Sequence, residues 1–401
     1  MPDTEPKIVV FSSLYPSQIR PNAGVFIRER MSKVAEQLPL VVVSPVPWFP
    51  LQGLIRLWKP EFRPQPATFE QQQGIDVYYP RFLSIPGLLK SWDGLFMALG
   101  SFLTLYQLRK QFQFNIIDAH FAYPDGYAAT LLGRWFTVPV TITLRGTEVP
   151  QSTRPQIRIR LLQALKNATR IFSVSESLKR HVVELGADAD KIQRVGNGID
   201  SKKFFPVDKK IARQQLALPE DAKVLISVGG LVDRKGFHRV LEVLPALVKQ
   251  YPNLIYLIVG GPSPEGNINE RLHQQVKDLD LVEHVRFLGS LPSDQLKTPL
   301  SASDVFVLAT ANEGWANVFL EAMACGLPVI TTDVGGNAEV VNDGTLGTVV
   351  PFGDSQAMQD ALSVALERTW DKTKILKYAE DNAWQQRVDQ LVSEFKRLLD
   401  K

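Results

Sequence analysis

The stretch Glu313-Gly-Trp-Ala-Asn-Val-Phe-Leu-Glu321-Ala-Met-Ala-Cys-Gly326-Leu-Pro328-Val-Ile decides the fold of this chain. The apolar run 304–308 before it predicts a strand, residues 317–325 predict a helix, and residues 329–331 predict a second strand. Strand, loop, helix and strand in this order form a parallel α/β unit. The loop after the first strand then lies at the carboxyl edge of the sheet, where ligands bind.

This loop has features that suit an anion beside hydroxyl groups. Gly314 gives the backbone room, and the amides of Ala316, Asn317 and Val318 open the helix with N–H groups that suit a diphosphate. Two carboxylates eight residues apart flank these amides. Because carboxylates repel phosphate, we interpret them as acceptors for the hydroxyls of a sugar and a ribose. The spacing alone is also compatible with two solvated glutamates at the edge of a helix.

The stretch resembles the retaining nucleotide-sugar glycosyltransferases of family four, the glycosyl transferases group 1. Their E-x7-E motif matches Glu313 and Glu321, and the continuation Asp333-Val-Gly-Gly-Asn-Ala-Glu339 is also similar to the family. The resemblance implies the α/β GT-B fold, with two Rossmann-like doubly wound parallel-sheet domains that face a cleft. It also implies that Glu313 holds the donor sugar in a catalytic role and that Glu321 holds the ribose.

Strands and helices alternate along both halves of the 401 residues. Strands are predicted at 7–11, 40–43, 75–79, 116–118, 140–143, 171–174, 192–195, 224–228, 254–259, 285–288, 305–308, 328–331 and 347–350. This alternation predicts two sequential doubly wound domains, 1–200 and 201–375. By resemblance, the first binds the acceptor and the second the nucleotide-sugar. The segment 373–400 is predicted to be helical, and 376–401 is expected to cross back to the first domain.

A second motif, Gly229-Gly-Leu-Val-Asp-Arg-Lys-Gly236, follows a predicted strand and precedes a helix. Glycines let the backbone approach a diphosphate, and Arg234 and Lys235 neutralise its charge. The motif resembles the family element G-R-L-x-x-x-K-G, but Gly230 stands where that element usually has its first Arg. We expect Arg234 to supply the missing cation, and both cations to bind the donor and assist catalysis. A solvated Arg-Lys pair is the alternative.

In the first half, His120 ends the predicted strand of Asp118-Ala-His and resembles the active-site His of the family. It is expected to hydrogen-bond the donor sugar or the incoming hydroxyl, although a lone His is more often structural. Asp125 is expected to cap the helix that follows. Gly24, after the first strand, is expected to let the backbone approach the donor diphosphate, or else simply starts a helix.

Arg145 belongs to Thr143-Leu-Arg-Gly-Thr-Glu148, which matches a family position where His-Gly-x-Asp is common. The substitution of Arg for His suggests that Arg145 holds the acceptor or a phosphate. An ordinary buried ion pair of Arg145 is an equally acceptable interpretation.

The charge distribution and the absence of certain motifs limit which ligands the sequence predicts. Residues 1–200 carry 23 Lys and Arg against 16 Asp and Glu, and residues 201–401 carry 22 against 26. The basic first half fits an anionic acceptor or surface, or a chance excess on solvated faces. Asp188-Ala-Asp190 spells a metal-binding D-x-D, but its surroundings indicate a helix-to-strand turn. No His/Cys spacing, P-loop or NAD fingerprint is present, so we expect no metal, cofactor or nucleic-acid partner.

The first six residues are polar and lead directly into a strand, which predicts a cytoplasmic protein without a secretory signal. The segments 48–59 and 82–92 combine Trp with Lys or Arg around apolar residues. Such segments either pack as loops over the sheet or lie at the inner face of a membrane. Membrane contact would favour a lipid-linked acceptor.

The sequence therefore predicts a retaining, metal-independent glycosyltransferase. It would move a sugar from a UDP- or GDP-sugar to a saccharide or lipid-linked saccharide, in polysaccharide or glycolipid biosynthesis. Two other classes stay open at this point: a GT-B nucleotide-sugar epimerase and a non-catalytic nucleotide-sugar-binding subunit. The donor base, the sugar, the acceptor and the oligomeric state cannot be derived from the sequence.

Overall fold

The computed structural model describes residues 5–21, 23–59, 62–263 and 265–400. The expectation about the polar start of the chain therefore falls, for residues 1–4, outside the described part. The chain divides into two compact units, one of Met1–Gly196 with Trp384–Lys401 and one of Asn197–Ala383. Each unit is built on a parallel sheet covered by helices.

The described residues of the first unit form ten strands. They are β1 Ile8–Phe11, β2 Leu40–Val43, β3 Val46–Trp48, β4 Phe69–Gln72, β5 Ile75–Tyr78, β6 Arg81–Leu83, β7 Ile116–His120, β8 Val140–Leu144, β9 Arg170–Ser173 and β10 Ile192–Arg194. Its helices begin with α1 Val25–Ala35, α2 Gln52–Arg56, α3 Asp93–Gln111, α4 Tyr127–Phe136, α5 Glu148–Ser152, α6 Pro155–Asn167 and α7 Glu176–Glu184. A turn at Ala122–Gly126 precedes α4.

The main sheet of the first unit has the order β10-β9-β8-β7-β1-β2-β5-β4. Only β4 runs antiparallel to its neighbour, while β3 and β6 form a separate parallel pair. Strands β1 and β2 are continuous apolar runs because helices cover both faces of a parallel sheet. Strands β1 and β7 are neighbours at the point where the strand order reverses. The loops that follow them therefore diverge and leave a crevice at the carboxyl edge.

In the second unit, the described residues form six strands, all parallel, in the order β13-β12-β11-β14-β15-β16. They are β11 Lys223–Val228, β12 Leu254–Val259, β13 Val285–Gly289, β14 Val305–Leu308, β15 Val329–Thr332 and β16 Gly347–Val350. The helices are α8 Lys209–Gln215, α9 Phe237–Gln250, α10 Asn269–Asp278, α11 Lys297–Ala302, α12 Asn317–Ala324, α13 Asn337–Val340, α14 Ser355–Glu367 and α15 Lys372–Asp381. Here the order reverses between β11 and β14, so the loops after these two strands flank the crevice.

The end of the chain differs from the single helical segment predicted over 373–400. Two helices occupy it, α15 and then α16, Trp384–Leu399. Helix α15 ends at Asp381. The carbonyl of the next residue, Asn382, accepts the N–H of Ile199 at 3.1 Å. Helix α16 belongs to the first unit. There its apolar stripe packs into the core, and Phe395 lies 6.0 Å from Phe172 between ring centroids.

Within the described residues, we find no helix with both the length and the apolar character that crossing a bilayer requires. The longest helix, α3, has 19 residues.

Candidate functional site

The loops after β11 and β14 bring three of the predicted donor-site residues together. The Oε1 atom of Glu313 lies 3.0 Å from Nη1 of Arg234 and 2.6 Å from Nζ of Lys235. Thr310 adds a hydroxyl 3.4 Å from the same oxygen. The carboxylate is mostly buried and both cations stay partly exposed. The site thus offers two cations to a ligand at the point where the strand order reverses.

Backbone contacts hold these two loops together. The carbonyl of Arg234 accepts the N–H of Ala311 at 2.7 Å and the hydroxyl of Thr310 at 3.0 Å. Gly236 follows with a φ of +76°, and a Cβ atom there would lie 1.8 Å from the carbonyl oxygen of Ala309. Only glycine fits this position, because any side chain would push the two loops apart. The glycine therefore fixes where both cations point.

Glu265 is a member of this cluster that the sequence did not reveal. Its two carboxylate oxygens accept hydrogen bonds from Arg234, Oε1 from Nη2 at 2.7 Å and Oε2 from Nε at 2.8 Å. The contact raises the pKa of Arg234 further above its usual value and lowers the pKa of Glu265. The two residues are 31 positions apart and no local pattern links them. Arg234 thus binds two carboxylates where the sequence predicted a diphosphate.

We expect Glu265→Gln to tighten binding of a nucleoside diphosphate, because the phosphate no longer competes with an exposed carboxylate for Arg234. Exposed ion pairs are worth about 0.2–1 kcal/mol, so the gain should be severalfold at most. Calorimetric titration of wild type and variant with UDP and GDP measures it. Asp233→Asn is the matched control, since Asp233 pairs with Arg271 at 2.6 Å. Weaker binding by Glu265→Gln would instead make Glu265 part of the binding site.

Gly230 lies beside the same loop as Glu265. A Cβ atom at Gly230 would stand 3.0 Å from Cβ of Ser263, and the N–H of Leu231 donates to the carbonyl of Gly261 at 2.8 Å. A side chain at position 230 would therefore press against Ser263, and Ser263 would have to shift to admit it. That Arg234 takes the place of the missing arginine stays a prediction.

Helix α12 carries the rest of the predicted donor site. It begins at Asn317 after Ala316, and no side chain caps its first turn. The N–H groups of Asn317 and Val318 at the start of the helix have no intrahelical partner and suit an anion, while the N–H of Phe319 donates to the carbonyl of Ala316 at 3.1 Å. Glu321 follows Asn317 by four residues and so lies on the same face of the helix. Gly314 lies half-buried in the loop before it.

In the first unit, His120 and Arg145 meet at the ends of β7 and β8. The Nδ1 atom of His120 lies 2.9 Å from Nη2 and 3.3 Å from Nε of Arg145. A guanidinium can only donate, so Nδ1 accepts and the proton of the neutral ring is on Nε2, 3.5 Å from Asp118. Burial lowers the pKa of His120 to about 4, which keeps the ring neutral. The ring has no exposed surface.

The surroundings of Arg145 combine charge with burial. Its guanidinium lies 5.0 Å from the ring centroid of Phe26, and burial together with the nearby charge of Arg30 lowers its pKa well below the usual value. The carboxylate of Glu148 accepts the backbone N–H of Ala122 at 3.1 Å and those of Arg145 and Gly146 at 3.2 and 2.8 Å. Glu148 thus fixes, by hydrogen bonds, the backbone of the loop that carries Arg145.

Arg30 was also missed by the sequence analysis. Its side chain is buried on α1, and its Nε and Nη1 atoms have no hydrogen-bond partner among the described residues. Burial lowers its pKa to about 10, against the opposite effect of Asp118. Burial alone would raise the pKa of Asp118, but His120, Thr141 and Arg30 hold it below the usual value. The signal was present in the sequence: Arg30 lies on the apolar stripe of Ile27, Met31 and Val34.

The structure corrects the expected cap at Asp125. Helix α4 begins after Gly126 without a side-chain cap. Asp125 instead reaches across to the loop after β1, where it accepts the backbone N–H of Ser13 and, at 3.1 Å, its hydroxyl. Asp125 makes this contact because a buried carboxylate needs hydrogen-bond donors for its oxygens, and Ser13 supplies two. The same loop leads to Gly24, whose φ is +70° and whose Cβ would lie 2.2 Å from the carbonyl oxygen of Leu14.

Burial raises the pKa of Asp125 from 3.8 to about 7. The folded protein therefore keeps a proton that the unfolded chain loses, and Asp125 reduces stability as pH rises through this window. We expect Asp125→Asn to gain stability relative to wild type between pH 5 and pH 8, by about 2 kcal/mol. Thermal unfolding of both proteins at the two pH values measures this. Glu184→Gln, at an exposed position, is the control. A difference between Asp125→Asn and wild type that does not change with pH would contradict the expected pKa.

The D-x-D sequence at Asp188 forms a turn, as its surroundings indicate. The carboxylate of Asp188 accepts the N–H of Asp190 at 3.0 Å and caps a short 3-10 turn before β10. Among the described residues, no group of three or more His, Cys, Asp or Glu side chains is arranged to hold a metal ion.

Two protein families match this chain. Residues 35–203 match Glycosyltransferase Family 4, and residues 208–383 match Glycosyl transferases group 1. Among individual relatives, TuaC of Bacillus subtilis (strain 168) is named for teichuronic acid biosynthesis as a glycosyltransferase. It is 28% identical over 337 residues, which cover 82% of this chain and 82% of TuaC.

Solved structures resemble the chain over nearly its full length. Sucrose-phosphate synthase from Thermosynechococcus elongatus has a TM-score of 0.78 at 20% identity, with 99% of this chain and all (100%) of that chain covered. Anabaena Alr3699/HepE, solved with UDP, has a TM-score of 0.73 at 19% identity, covering 98% and 100%. These likenesses bear on the fold, and they confirm the predicted α/β GT-B class.

Proposed function

Because this chain belongs to the family 4 glycosyltransferases of group 1, we propose that it transfers a sugar from a UDP- or GDP-sugar to a saccharide or lipid-linked saccharide, with retention of configuration and without a metal ion. Polysaccharide or glycolipid biosynthesis is the proposed setting. The name of TuaC, which refers to teichuronic acid biosynthesis, supports this setting. The structures of HepE with UDP and with UDP-glucose support a nucleotide-sugar donor.

One observation carries the proposal. Arg234 and Lys235 converge on the carboxylate of Glu313 where the strand order of the second sheet reverses, and the loop after β14 leads to the uncapped start of α12. Two cations and free helix N–H groups fit a diphosphate. The backbone at Gly230 would let the donor approach closely, while the role of Gly24 towards the donor stays a prediction. When the diphosphate binds, it would share the cations that Glu313 and Glu265 now occupy.

The proposed chemistry needs no protein nucleophile. The bond between the sugar C1 and the diphosphate oxygen breaks, and the acceptor oxygen bonds to C1 on the same face. The departing diphosphate oxygen takes the proton of the acceptor hydroxyl. The protein contributes by positioning both substrates and by stabilising the charge on the leaving diphosphate through Arg234 and Lys235. Glu313 would hold donor-sugar hydroxyls and Glu321 the ribose.

In the first unit, we assign Arg145 to an anionic group of the acceptor or to a phosphate. Its guanidinium donates to His120 Nδ1, so the imidazole orients it, and Glu148 fixes its loop. Direct contact of His120 with the donor sugar or the incoming hydroxyl stays a prediction, and it requires the ring to become accessible.

The test begins with thermal unfolding in the presence of UDP, GDP, ADP and their sugar conjugates. A nucleotide at 100 times its Kd adds about 2.7 kcal/mol, which raises the midpoint by several degrees. We expect a clear rise with UDP or GDP. The matching sugar conjugate is then incubated with candidate acceptors, with and without EDTA, and the anomeric configuration of the product is read by NMR. Inversion, loss of activity in EDTA, or epimerised free donor would each contradict part of the proposal.

A further inference from the structure

The first unit carries most of the large hydrophobic side chains that are exposed among the described residues. Of 21 large hydrophobic side chains exposed among the described residues, 16 belong to this unit. Ten of them form what we call the apolar face, and their exposed fractions run from 45% to 89%. They are Leu51, Leu54, Leu57, Trp58, Leu88, Leu89, Trp92, Leu99, Leu103 and Tyr106. The exposed side chains of segments 48–59 and 82–92 therefore do not pack over the sheet, although Gln52 and Phe82 of these segments are buried.

Helix α3 carries two apolar stripes. One is buried against the unit and includes Met97, Ala98, Leu105 and Leu108. The other begins with Trp92 just before the helix and continues through Leu99, Leu103 and Tyr106, at spacings of 7, 4 and 3 residues that keep these side chains on one side. At about 1.5 Å per residue the second stripe is roughly 20 Å long. A surface helix needs only one apolar stripe to pack on its own protein, so the second is available to a partner.

The segment around α2 lies beside the start of α3. Strands β3 and β6 pair, and the N–H of Ser84 donates to the carbonyl of Trp48 at 2.8 Å. Ser84 also accepts a hydrogen bond from Nζ of Lys90 at 2.9 Å, and its carbonyl accepts one from Arg63. The guanidinium of Arg56 in turn binds the carbonyls of Phe62 and Arg63 at 3.2 and 2.9 Å. These contacts join the exposed side chains of 51–58 and 88–106 into one neighbourhood.

The net charge of this neighbourhood is positive. Residues 48–59 and 88–110 contain five cations and a single carboxylate, Asp93, which already pairs with Lys90 at 3.0 Å. Several cations lie on the aromatic rings: Lys110 is 4.3 Å from the centroid of Tyr106, and Arg160 is 5.8 Å from that of Trp92. Apolar side chains among Trp, Tyr and Lys or Arg match a bilayer surface, where tails are apolar and headgroups anionic.

We propose that the apolar face docks the protein onto an anionic lipid bilayer, with Leu and Trp side chains in the headgroup–acyl boundary and the cations against lipid phosphates. A second copy of the chain fits less well. In a two-fold interface the same cations would meet one another without carboxylates between them. The proposal concerns where the enzyme works and does not depend on which sugar it transfers.

The test is sedimentation of the full chain with vesicles of phosphatidylcholine, alone or mixed with phosphatidylglycerol. We expect binding to the anionic vesicles that weakens as salt rises. Leu57→Ser/Trp58→Ser/Leu99→Ser/Leu103→Ser should bind at least about tenfold more weakly. All four positions are exposed, so the fold should tolerate the changes. Val282→Ser/Val364→Ser, two exposed apolar positions of the second unit, is the matched control and should bind as wild type does.

Charge is tested separately with Lys59→Gln and Lys110→Gln. Each should weaken binding to the anionic vesicles about fivefold and leave any binding to pure phosphatidylcholine unchanged. The proposal is overturned if wild type binds neither vesicle at low salt, or if the four-residue variant binds as wild type does. It is also overturned if ultracentrifugation finds a wild-type dimer that the four-residue variant abolishes. None of these outcomes depends on transferase activity, so the proposed function is judged independently.

Discussion

The Glu313→Gln variant should lose most of its sugar-transfer activity and still bind free nucleotide. The variant keeps the shape of the side chain but loses the charge that we assign to the donor-sugar hydroxyls. Losing one such transition-state contact costs about 10²–10³ in rate. At the same time Arg234 and Lys235 lose a carboxylate at 3.0 and 2.6 Å, so the diphosphate of UDP or GDP should bind equally well or more tightly. Steady-state kinetics and calorimetric titration measure the two effects.

Glu321→Gln provides the contrast to this variant. If Glu321 binds the ribose, its loss should weaken binding of the free nucleotide and raise the donor KM. Glu313→Gln should do neither. A Glu313→Gln variant that turns over near the wild-type rate would remove its assignment to the donor sugar. Unchanged nucleotide affinity in Glu321→Gln would remove the ribose assignment but leave that of Glu313 intact.

Arg234→Ala should lower kcat/KM for the donor by about 10²–10³, because a cation that stabilises the leaving diphosphate is removed. Adding Gly230→Arg to this variant should restore at least part of the loss. Position 230 is where the related family element usually has an arginine, and Ser263, whose Cβ would lie 3.0 Å from the new Cβ, would have to shift slightly to admit it. Kinetics of the single and double variants with a nucleotide-sugar donor test both statements.

Arg271→Ala is the matched control for charge. Arg271 pairs with Asp233, the residue next to Arg234, and both side chains are more than half exposed. Its removal should leave kcat/KM unchanged, since exposed pairs contribute little. If Arg234→Ala retains wild-type kcat/KM, the assignment of Arg234 to the diphosphate is wrong. If the single variant fails and Gly230→Arg does not improve it, Arg234 has a role that an arginine at 230 does not fill.

Apolar runs in the sequence located most strands because central strands of a parallel sheet are apolar on both faces. The prediction over 254–259 coincides with β12, and that over 40–43 coincides with β2. Strands β3, β4 and β6 were not predicted. Strand β4 is Phe-Glu-Gln-Gln at an antiparallel edge, and β3 has only three residues, one of them Pro47. Such strands exist because a neighbouring strand offers hydrogen bonds, which composition does not encode.

The sequence by itself determined the alternation of strands and helices and the residue types after each strand. From these came the two doubly wound α/β domains and the expectation that Arg234, Lys235 and Glu313 gather at one sheet edge, while the GT-B class was implied by the resemblance of the motifs to family four. Local chemistry suffices for this because loops that follow parallel strands emerge at the same edge.

Only the tertiary structure decided how these residues are engaged. Glu265 binds Arg234 across 31 residues, Asp125 holds the loop of Ser13 across 112 residues, and the second stripe of α3 remains exposed. Each outcome depends on which surfaces the fold covers and which charged groups it brings within a few ångströms. Those distances are set by the packing of distant segments, and no local pattern in the sequence specifies them.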